Sequence, residues 1–489
     1  MRPVPRPLAL LLVAVALLGA AWALLVPPGQ APDEPAHVGY AQVLAEDFRL
    51  PDEDAGLTFS REQRTSELFA NVNQTAQVLA TRPEWSELAY RDWQRAVAQL
   101  PKDARGEGGH ADTTTGPNPA RANPPLYYLW VSVAYLAASG GDFFDRLYAM
   151  RLWSVLLLLV ATAATWLLIG ELAGPRRPLQ LAGAALVGMQ PMAVFVSASV
   201  NPDAALIACF AVAFWLGARV LRRGLTLRDG IGLGVATALA VLAKGTGYAL
   251  VPAVALALAL AAWRARPRGR TALLAAGAGA LALALPVGVW VALARSLDRA
   301  AVNKVPGTGG GGASAPGLPQ FGLIDYLWQF YLPKIPLVEN VPAIERLPVF
   351  DVWIETGWAA FGWLEVRFPE PVYVLLAVLT AALVVGALAT VVRRRRREDV
   401  PLAAFFGLAA LALLAGLHWI EYKTIGSEGV VFNQGRYLLP LLPLLGACAA
   451  ATLTLVPARW RMHAAGALIG GVFVLQAFSL ALIAGRFYA

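Results

Sequence analysis

The stretch LALLLVAVALLGAAWALLV, residues 8–26, has no charged side chain and is long enough to cross a bilayer as one helix. Charged residues make up only 15% of the chain and the mean hydropathy is +0.56, unlike ordinary soluble domains. The sequence therefore predicts an all-α polytopic membrane protein with about eleven transmembrane helices. The other predicted spans are 147–172, 179–200, 203–221, 229–247, 249–263, 272–294, 372–392, 400–420, 437–456 and 463–485.

Clusters of arginine separate many of these runs and indicate their orientation. With eleven spans and a cytoplasmic N-terminus, every cluster falls on the cytoplasmic side, where Lys and Arg are enriched in short loops. The formal net charge of +8 is then explained by topology and does not point to nucleic acid. The clusters are Arg2 with Arg6, Arg176 with Arg177, Arg222 and Arg223 with Arg228, Arg264–Arg270, Arg393–Arg397, and Arg459 with Arg461.

The run PPLYYLWVSVAYLAA, residues 124–138, is apolar but too short for an ordinary span. Counting it as a span would move the downstream arginine clusters to the outer side. We therefore expect a re-entrant or juxtamembrane helix on the outer surface. The alternative is a twelfth span in a chain that departs from the charge rule.

The first apolar run has two interpretations. Ala21-Trp22-Ala23 fits the small-x-small pattern of a signal-peptidase site, which would make the run a cleaved signal peptide. The apolar residues continue to Val26, however, and we favour a retained membrane anchor.

The spans divide the chain into three parts. Residues 1–294 form an N-terminal transmembrane module that includes an acidic outer loop at 27–146, and residues 372–489 form the C-terminal helices. Residues 295–371 form a second outer loop. Its glycine run, 309–312, lacks the ending of a phosphate-binding loop and is typical of a linker. Four aromatic residues beyond it suggest either a sugar-stacking platform or, preferably, a membrane-interface belt: Trp353, Trp358, Phe361 and Trp363.

Nucleotide-binding and hydrolase signatures are missing from the sequence. No Rossmann glycine pattern, Walker loop, HEXXH helix or nucleophile elbow stands in a fitting context. Cys209 and Cys448 lie in apolar runs without metal-ligand spacing, so neither a disulfide nor a thiolate metal site is expected. An activated substrate would therefore reach this protein through the membrane.

Two adjacent carboxylates follow the first span, in the stretch P-D-E-P-A-H at residues 32–37. Asp33 and Glu34 repel each other near low-dielectric lipid, which separates their proton affinities and suits one of them to act as a base. His37 lies about one helical turn further on, where it can orient a carboxylate or join a metal site. The alternatives are a solvated loop pair and an interfacial histidine.

Two cations are predicted at the same membrane face. Lys244 ends the fifth span, and Arg436 begins the tenth against the inside-positive trend. Either side chain can bind phosphate oxygens, although Lys244 can equally extend to the interface. Other polar candidates on this face are Asn123 and Tyr127 at the start of the short helix, Asn201 and Asp203 in a tight outer turn, and Gln434.

Carboxylates beside cations are the groups required to transfer a sugar from a lipid phosphate to a hydroxyl. A base takes the proton of the acceptor, and cations stabilise the charge that develops on the departing phosphate. The sequence pattern therefore favours a transferase acting at the lipid–water boundary.

These motifs resemble the GT-C superfamily of polytopic glycosyltransferases, which includes aminoarabinose transferases and protein O-mannosyltransferases. P-D-E-P-A-H, N-P-P-L-Y-Y, N-P-D-A and Q-G-R-Y-L-L-P resemble more closely a family of bacterial membrane proteins known only as a domain of unknown function. The resemblance covers nearly the whole chain, and its first and last motifs are the most specific.

The resemblance implies a GT-C-like fold and an inverting transferase that uses a polyprenyl-phosphate sugar donor. Asp33 matches the acid proposed as general base, Glu34 the neighbouring acid, and Lys244 the lysine near the lipid phosphate. Asn123 stands where relatives often have His or Lys, so a cationic contact there is in doubt. Some relatives require a divalent cation and others do not, so the metal requirement stays open.

The partners and location follow from the same resemblance. The acceptor would be a cell-envelope glycan or lipid, the surroundings membrane lipids, and nucleic acid would have no part. The protein would lie in the bacterial cytoplasmic membrane with its active site extracytoplasmic. Two alternatives remain, a polytopic transporter or lipid flippase, and a scaffold in a cell-envelope assembly. Against the transporter, the sequence has no clear internal repeat and its polar residues gather at one face.

Overall fold

A computed structural model of the protein describes residues 4–51, 59–83, 86–99, 118–265, 269–299, 321–341, 344, 348–394, 397–428, 431 and 433–489. The glycine run predicted to be a linker lies outside these residues. Nearly all regular structure in the described part is helical, and the predicted all-α polytopic class of membrane protein is confirmed.

The α-helices, in chain order, are α1 (Arg6–Leu25), α2 (Glu34–Asp47), α3 (Arg61–Phe69), α4 (Val72–Thr75), α5 (Glu87–Ala98), α6 (Leu126–Ala137), α7 (Phe143–Ala173), α8 (Arg177–Gly188), α9 (Pro191–Ser197), α10 (Asp203–Arg223), α11 (Leu227–Ala243), α12 (Leu250–Arg264), α13 (Arg270–Ser296), α14 (Leu323–Tyr331), α15 (Thr356–Trp358), α16 (Glu370–Arg394), α17 (Val400–Glu428), α18 (Leu442–Leu453) and α19 (Ala458–Tyr488). Shorter 3-10 helices cover Pro119–Ala122, Gly245–Ala249, Arg397–Asp399 and Gly435–Leu441, and a π-helix covers Val349–Glu355. Strands β1 (Ala360–Phe361) and β2 (Val366–Arg367) pair antiparallel.

Local sequence explains where several helices begin and end. Asp142 accepts the backbone N–H groups of Phe144 and Asp145 and so caps α7. Gly174 and Gly224 follow α7 and α10 with positive φ angles of 74° and 93°, which glycine adopts without strain. These breaks set the short connections that fold α7, α8, α10 and α11 back on one another.

Nine helical segments within the described residues are long and apolar enough to cross a membrane, and ten if the bent pair α8–α9 is one span. Sequence analysis predicted eleven. The predicted span 179–200 is the bent pair, with an angle of 57° between its halves. The predicted span 229–247 is α11, which has 17 residues and is therefore shorter than the usual span.

Ion pairs at both ends of α11 tie it to α10. Nζ of Lys244 lies 2.6 Å from Asp203 at one end, and Arg219 lies 3.0 Å from Asp229 at the other. The two helices are therefore antiparallel and extend over the same depth. Because α10 is a full-length span, this match supports α11 as a crossing helix despite its length.

The short helix α6 packs beside α2 and α7. It has 12 residues, so it extends about 18 Å at 1.5 Å per residue, too little for the hydrocarbon core. Tyr128 of α6 stacks on Tyr40 of α2 with ring centroids 3.7 Å apart. Leu129 and Val133 on its other face are about half exposed. A short helix against the bundle, rather than a twelfth span, agrees with the sequence-based prediction.

The arginine-bearing helix ends gather at one end of the bundle, which we call the arginine end. Arg222 pairs with Asp399 at 2.8 Å, Arg223 pairs with Glu171 at 2.7 Å, and Arg264 donates to the carbonyl of Leu221. The loops that carry Asp33, Lys244 and Arg436 lie at the opposite end, the carboxylate end. The charge pattern thus separates the two ends as the sequence indicated.

Helix α1 is an integral part of the main core. Trp22 is fully buried, and its indole N–H donates to Oε1 of Gln476 on α19 at 2.7 Å. Its ring packs against Phe195 and Phe361. Helix α1 is thereby packed against α9, α19 and strand β1.

For Phe361 and Trp358, both the preferred prediction of a membrane-interface belt and the alternative of a sugar-stacking platform are wrong. Phe361 is fully buried beside Trp22, and Trp358 is buried in the same core, so neither ring is open to a sugar or to lipid. Trp363 donates its indole N–H to the carbonyl of Gly29. These aromatic residues fix the second loop against the first helix.

Candidate functional site

The site begins with the turn that joins α1 to α2. Asp33 stands immediately before α2 with φ of +63°, a left-handed conformation that Asp and Asn tolerate better than most residues. Pro35 sits in the first turn of α2, where a missing N–H costs nothing. The side chain of Asp33 is 49% exposed, so its carboxylate faces solvent at the carboxylate end.

Glu34 points the other way, into the protein. Nε of Arg151 donates to its Oε1 at 2.8 Å, and Nη2 donates to its Oε2 at 2.5 Å. The backbone N–H groups of Gly29 and Val200 also donate to the Glu34 carboxylate, which therefore accepts four hydrogen bonds. Arg151 also donates to three carbonyls at the end of α1, those of Ala23, Val26 and Pro27. Glu34 is thus saturated, and the geometry favours a structural role over the catalytic one expected from sequence.

Asp33 is held instead by Arg436, which lies 403 positions further along the chain. Nη2 of Arg436 donates to Oδ2 of Asp33 at 2.6 Å. The guanidinium is only 4% exposed. Its Nε and Nη1 are buried and have no hydrogen-bond partner among the described residues. Arg436 therefore offers two further donors beside a solvent-facing carboxylate.

The motif around Arg436 is fixed by a close backbone contact. Gly435 donates to the hydroxyl of Thr356 at 2.6 Å, and a Cβ at this position would lie 2.4 Å from the backbone nitrogen of Gly357. Only glycine allows this approach. The contact between the two glycines anchors the segment that presents Arg436. Gln434 precedes them, and its Oε1 is buried without a partner in the part of the chain described.

Lys244 forms the second ion pair of the site. Its Nζ lies 2.6 Å from Oδ1 of Asp203, whereas Oδ2 of Asp203 is buried and unpaired with any described residue. Asp203 is in turn positioned by Asn201, whose side-chain oxygen accepts the N–H of Asp203 at 3.0 Å. Two acids and two cations therefore lie together.

The ring of Tyr437 links the two cations. Nζ of Lys244 lies 5.1 Å from its centroid, and the guanidinium carbon of Arg436 lies 5.2 Å from it. The negative face of an aromatic ring attracts cations at such distances. Tyr437 thus helps to hold two positive charges near each other. Tyr437 is not among the candidates predicted from sequence, although it directly follows Arg436.

Asp33 remains ionised in this setting. Burial raises the pKa of its carboxyl, but the charges of Arg436 and Lys244 together with the Arg436 hydrogen bond bring the pKa below the ordinary value of 3.8. A half-exposed, ionised carboxylate is what a general base must be at neutral pH.

His37 is buried and neutral. Burial lowers the pKa of its imidazole to about 4, despite the attraction of Asp33. Its Nδ1 shares a hydrogen bond of 2.8 Å with the hydroxyl of Tyr128, which also accepts from Asn123 at 3.0 Å. Asn123 and His37 therefore join α2 to α6, and neither supplies a positive charge to an anion.

Tyr127 lies deeper and has a structural position. Its hydroxyl shares a hydrogen bond with Ser154 and accepts the N–H of Asn201 at 2.7 Å. It thereby connects α6 and α7 to the turn that carries Asp203. The predicted polar residues do meet, but in two layers. Asp33, Lys244, Asp203 and Arg436 form the inner set, while Asn123, Tyr127, Asn201 and His37 support it.

Arg151 is the supporting residue that sequence reasoning missed. It lies inside the predicted span 147–172, and an ionisable side chain within an apolar run is itself a signal of a buried partner. Its partner is Glu34, which the sequence had suggested as a catalytic acid beside Asp33.

The residues do not fit a resident divalent cation. Within the ranges described, no group of three or more His, Cys, Asp or Glu side chains is placed to ligate a metal. Asp33 and Asp203 already face Arg436 and Lys244, and oxygen-rich metal sites need more ligands than these two carboxylates provide.

Comparison with known proteins identifies the family. No curated protein matches the chain. The family model described as a predicted membrane protein, DUF2142, matches residues 16–445, which include Asp33, Lys244 and Arg436. Since this match covers most of the sequence, the chain belongs to the DUF2142 family of predicted membrane proteins.

Proposed function

We propose that the protein is an inverting membrane glycosyltransferase that moves a sugar from a polyprenyl-phosphate donor to an extracytoplasmic cell-envelope acceptor. One observation carries the proposal. A half-exposed, ionised Asp33 contacts a buried Arg436, two of whose donors have no partner among the described residues, with Lys244 beside it. A base and an anion-binding pair thus share one site.

The groups fit the two halves of the reaction. Asp33 takes the proton of the acceptor hydroxyl while the acceptor oxygen bonds to the anomeric carbon of the sugar. The bond from that carbon to the phosphate oxygen breaks, and its electron pair leaves with the phosphate. Arg436 and Lys244 stabilise the negative charge that develops there. Attack from the side opposite the phosphate inverts the configuration.

The side of the membrane follows from charge. The arginine end of the bundle is the cytoplasmic one under the positive-inside rule, so Asp33 and its partners face outward. A donor at that face must be carried by lipid, because the sequence has no nucleotide-binding signature. This placement motivates both the polyprenyl carrier and the cell-envelope acceptor.

The test uses purified protein in detergent and a panel of radiolabelled polyprenyl-phosphate sugars. Wild type should transfer sugar to an envelope extract or hydrolyse a donor slowly. Asp33→Asn should lower the rate by about 10²- to 10⁴-fold, the usual contribution of a general base. Asn suits the left-handed conformation at this position, so the loop is retained.

Asp92→Asn serves as the matched control. Asp92 is an exposed acid on α5 that pairs with Arg95, and its loss should leave the rate unchanged. Absence of both transfer and donor hydrolysis across the panel, together with full function of Asp33→Asn in cells, would refute the transferase.

A transporter is the second candidate, because the bent pair α8–α9 is the kind of interrupted span that transporters use. Here the side chain of Gln190 at the break is hydrogen-bonded within the protein. Gln190 accepts the N–H of Ala193 at 2.6 Å and donates to the carbonyl of Gly357 at 2.7 Å. Both polar atoms of the Gln190 side chain at the bend are therefore bonded within the protein, which favours the transferase. Substrate-driven uptake into proteoliposomes by Asp33→Asn protein would reverse this preference.

A further inference from the structure

We propose that the donor's phosphate and Asp33 compete for Arg436, so that binding of the anion releases the base. This inference rests on the proposed function and adds to it an order of events. Before the donor binds, Arg436 holds Asp33. With the donor in place, Arg436 holds the phosphate and Asp33 is free to meet the acceptor hydroxyl.

The first support is that the nitrogens of the Arg436 guanidinium differ in their hydrogen-bond partners. Nη2 of Arg436 serves Asp33 at 2.6 Å and lies 3.4 Å from the hydroxyl of Tyr437. Nε and Nη1 are buried and unpaired within the described chain. Buried donors without partners are unfavourable, and hydrogen bonds to a charged acceptor are among the strongest. A phosphate has enough oxygens to satisfy these donors, whereas one carboxylate oxygen reaches only Nη2.

The second support is that only one partner of the pair is free to move. Arg436 is fixed by the contact of Gly435 with Gly357, by the Thr356 hydrogen bond and by the ring of Tyr437. The side chain of Asp33 is 49% exposed and can be hydrated once it leaves the arginine. An arriving anion therefore displaces the carboxylate and leaves the guanidinium in place.

The exchange also makes Asp33 a better base. Burial raises the pKa of Asp33, and Arg436 provides the largest opposing effect. A phosphate on Arg436 cancels much of that effect, so the proton affinity of the released carboxylate rises. A stronger base is thus produced only when a donor is present.

The atoms balance over the cycle. The acceptor O–H bond breaks and its proton goes to Asp33, while the acceptor oxygen bonds to the anomeric carbon. The electron pair of the broken carbon–oxygen bond stays on the phosphate. After the polyprenyl phosphate leaves, Asp33 gives its proton to water and returns to Arg436.

Binding measurements on the purified protein test the competition directly. The probes are farnesyl phosphate and inorganic phosphate, titrated calorimetrically in detergent against wild type and variants. Removing the competing charge in Asp33→Asn should tighten farnesyl phosphate binding about tenfold, which corresponds to about 1.4 kcal/mol. Asp92→Asn, a remote acid changed in the same way, should bind like wild type.

A double variant locates the effect at Arg436. If Asp33 acts through this arginine, the gain from Asp33→Asn should vanish when Arg436→Gln is present, a non-additivity expected for groups in contact. Arg436→Lys provides the same comparison with the charge retained, should the glutamine variant not fold. Unchanged or weaker binding by Asp33→Asn, or a gain that persists in both Arg436 variants, would overturn the exchange.

The outcomes separate this inference from the proposed function. Tighter binding by Asp33→Asn would support the exchange even where wild type neither transfers sugar nor hydrolyses a donor and Asp33→Asn functions fully in cells, results that would refute the transferase. Sugar transfer by wild type without tighter binding in Asp33→Asn would support the transferase and overturn the exchange. Equal affinity for inorganic and farnesyl phosphate would overturn a lipid source for the anion, while preference for farnesyl phosphate would support it.

Discussion

Arg151 donates from Nε and Nη2 to both carboxylate oxygens of Glu34, and both side chains are buried. Removal of one partner leaves the other charged in a low-dielectric interior. We therefore expect Arg151→Leu to lower the free energy of unfolding by about 3–5 kcal/mol.

Chemical unfolding in detergent measures this loss. Arg367→Leu is the matched control, because Arg367 pairs with Glu355 at 3.0 Å but is 46% exposed, and such pairs contribute about 1 kcal/mol or less. Equal losses in the two variants would contradict a structural role for the buried pair.

Acid should destabilise the protein through His37. The pKa of His37 is about 4 in the folded state and 6.5 ordinarily. Between these pH values the imidazole is therefore protonated in the unfolded chain and neutral in the folded chain. The contribution of His37 to the free energy of unfolding is complete above pH 6.5. It is lost as the pH falls towards 4, a loss on the order of 3 kcal/mol.

The readout is the difference between two proteins. The free energy of unfolding of wild type and of His37→Gln is measured by chemical unfolding at neutral pH and at pH values approaching 4. The variant has no imidazole and should lose less stability over this window. A parallel decline of both proteins would show that another group carries the effect.

The glycine contact below Arg436 predicts a steric defect. A Cβ at position 435 would lie 2.4 Å from Gly357 N and 2.6 Å from Val352 O, so backbone must shift. Gly435→Ala should cost about 1–3 kcal/mol, as overpacking does, and weaken farnesyl phosphate binding because Arg436 moves.

Gly466→Ala makes the same chemical change where a Cβ meets nothing within 4 Å. It should be neutral or slightly stabilising, since alanine favours the helix by up to about 1 kcal/mol. Phosphate binding that survives Gly435→Ala would show that the close contact does not position Arg436.

The orientation of the two ends can be tested by thiol labelling. In a background with Cys209→Ala and Cys448→Ala, Asp92→Cys should react with an impermeant maleimide in intact cells. Under the proposed orientation, Arg176→Cys should react only after the membrane is opened, because the positive-inside rule assigns the arginine end to the cytoplasm. The opposite pattern would place the site inside and exclude an extracytoplasmic acceptor.

Depth in the membrane could be predicted from the sequence to a useful extent. Apolar runs located the spanning helices, and arginine clusters sorted their ends. As a result Asp33, Lys244 and Arg436 were assigned to the same end although 403 residues separate the first from the last. The short helix α6 was recognised because twelve residues do not span the hydrocarbon core.

Neighbours at the same depth could not be predicted. Hydropathy says nothing about which helices touch, so the partner of Glu34 on α7 and the burial of Trp358 required the fold. The bend in the span 179–200 was also missed. Its cause is local, since Pro191 interrupts the helix and Gln190 caps its second half.

The hydrogen bond between Trp22 and Gln476 joins helices that are 454 positions apart in the chain. A ribosome makes the chain from its N-terminal end, so α1 enters the membrane long before its partner on α19 has been synthesised. Arg436, the partner of Asp33, also emerges late. A nascent or prematurely terminated chain therefore carries Asp33 without Arg436, and this ion pair can form only near the end of translation.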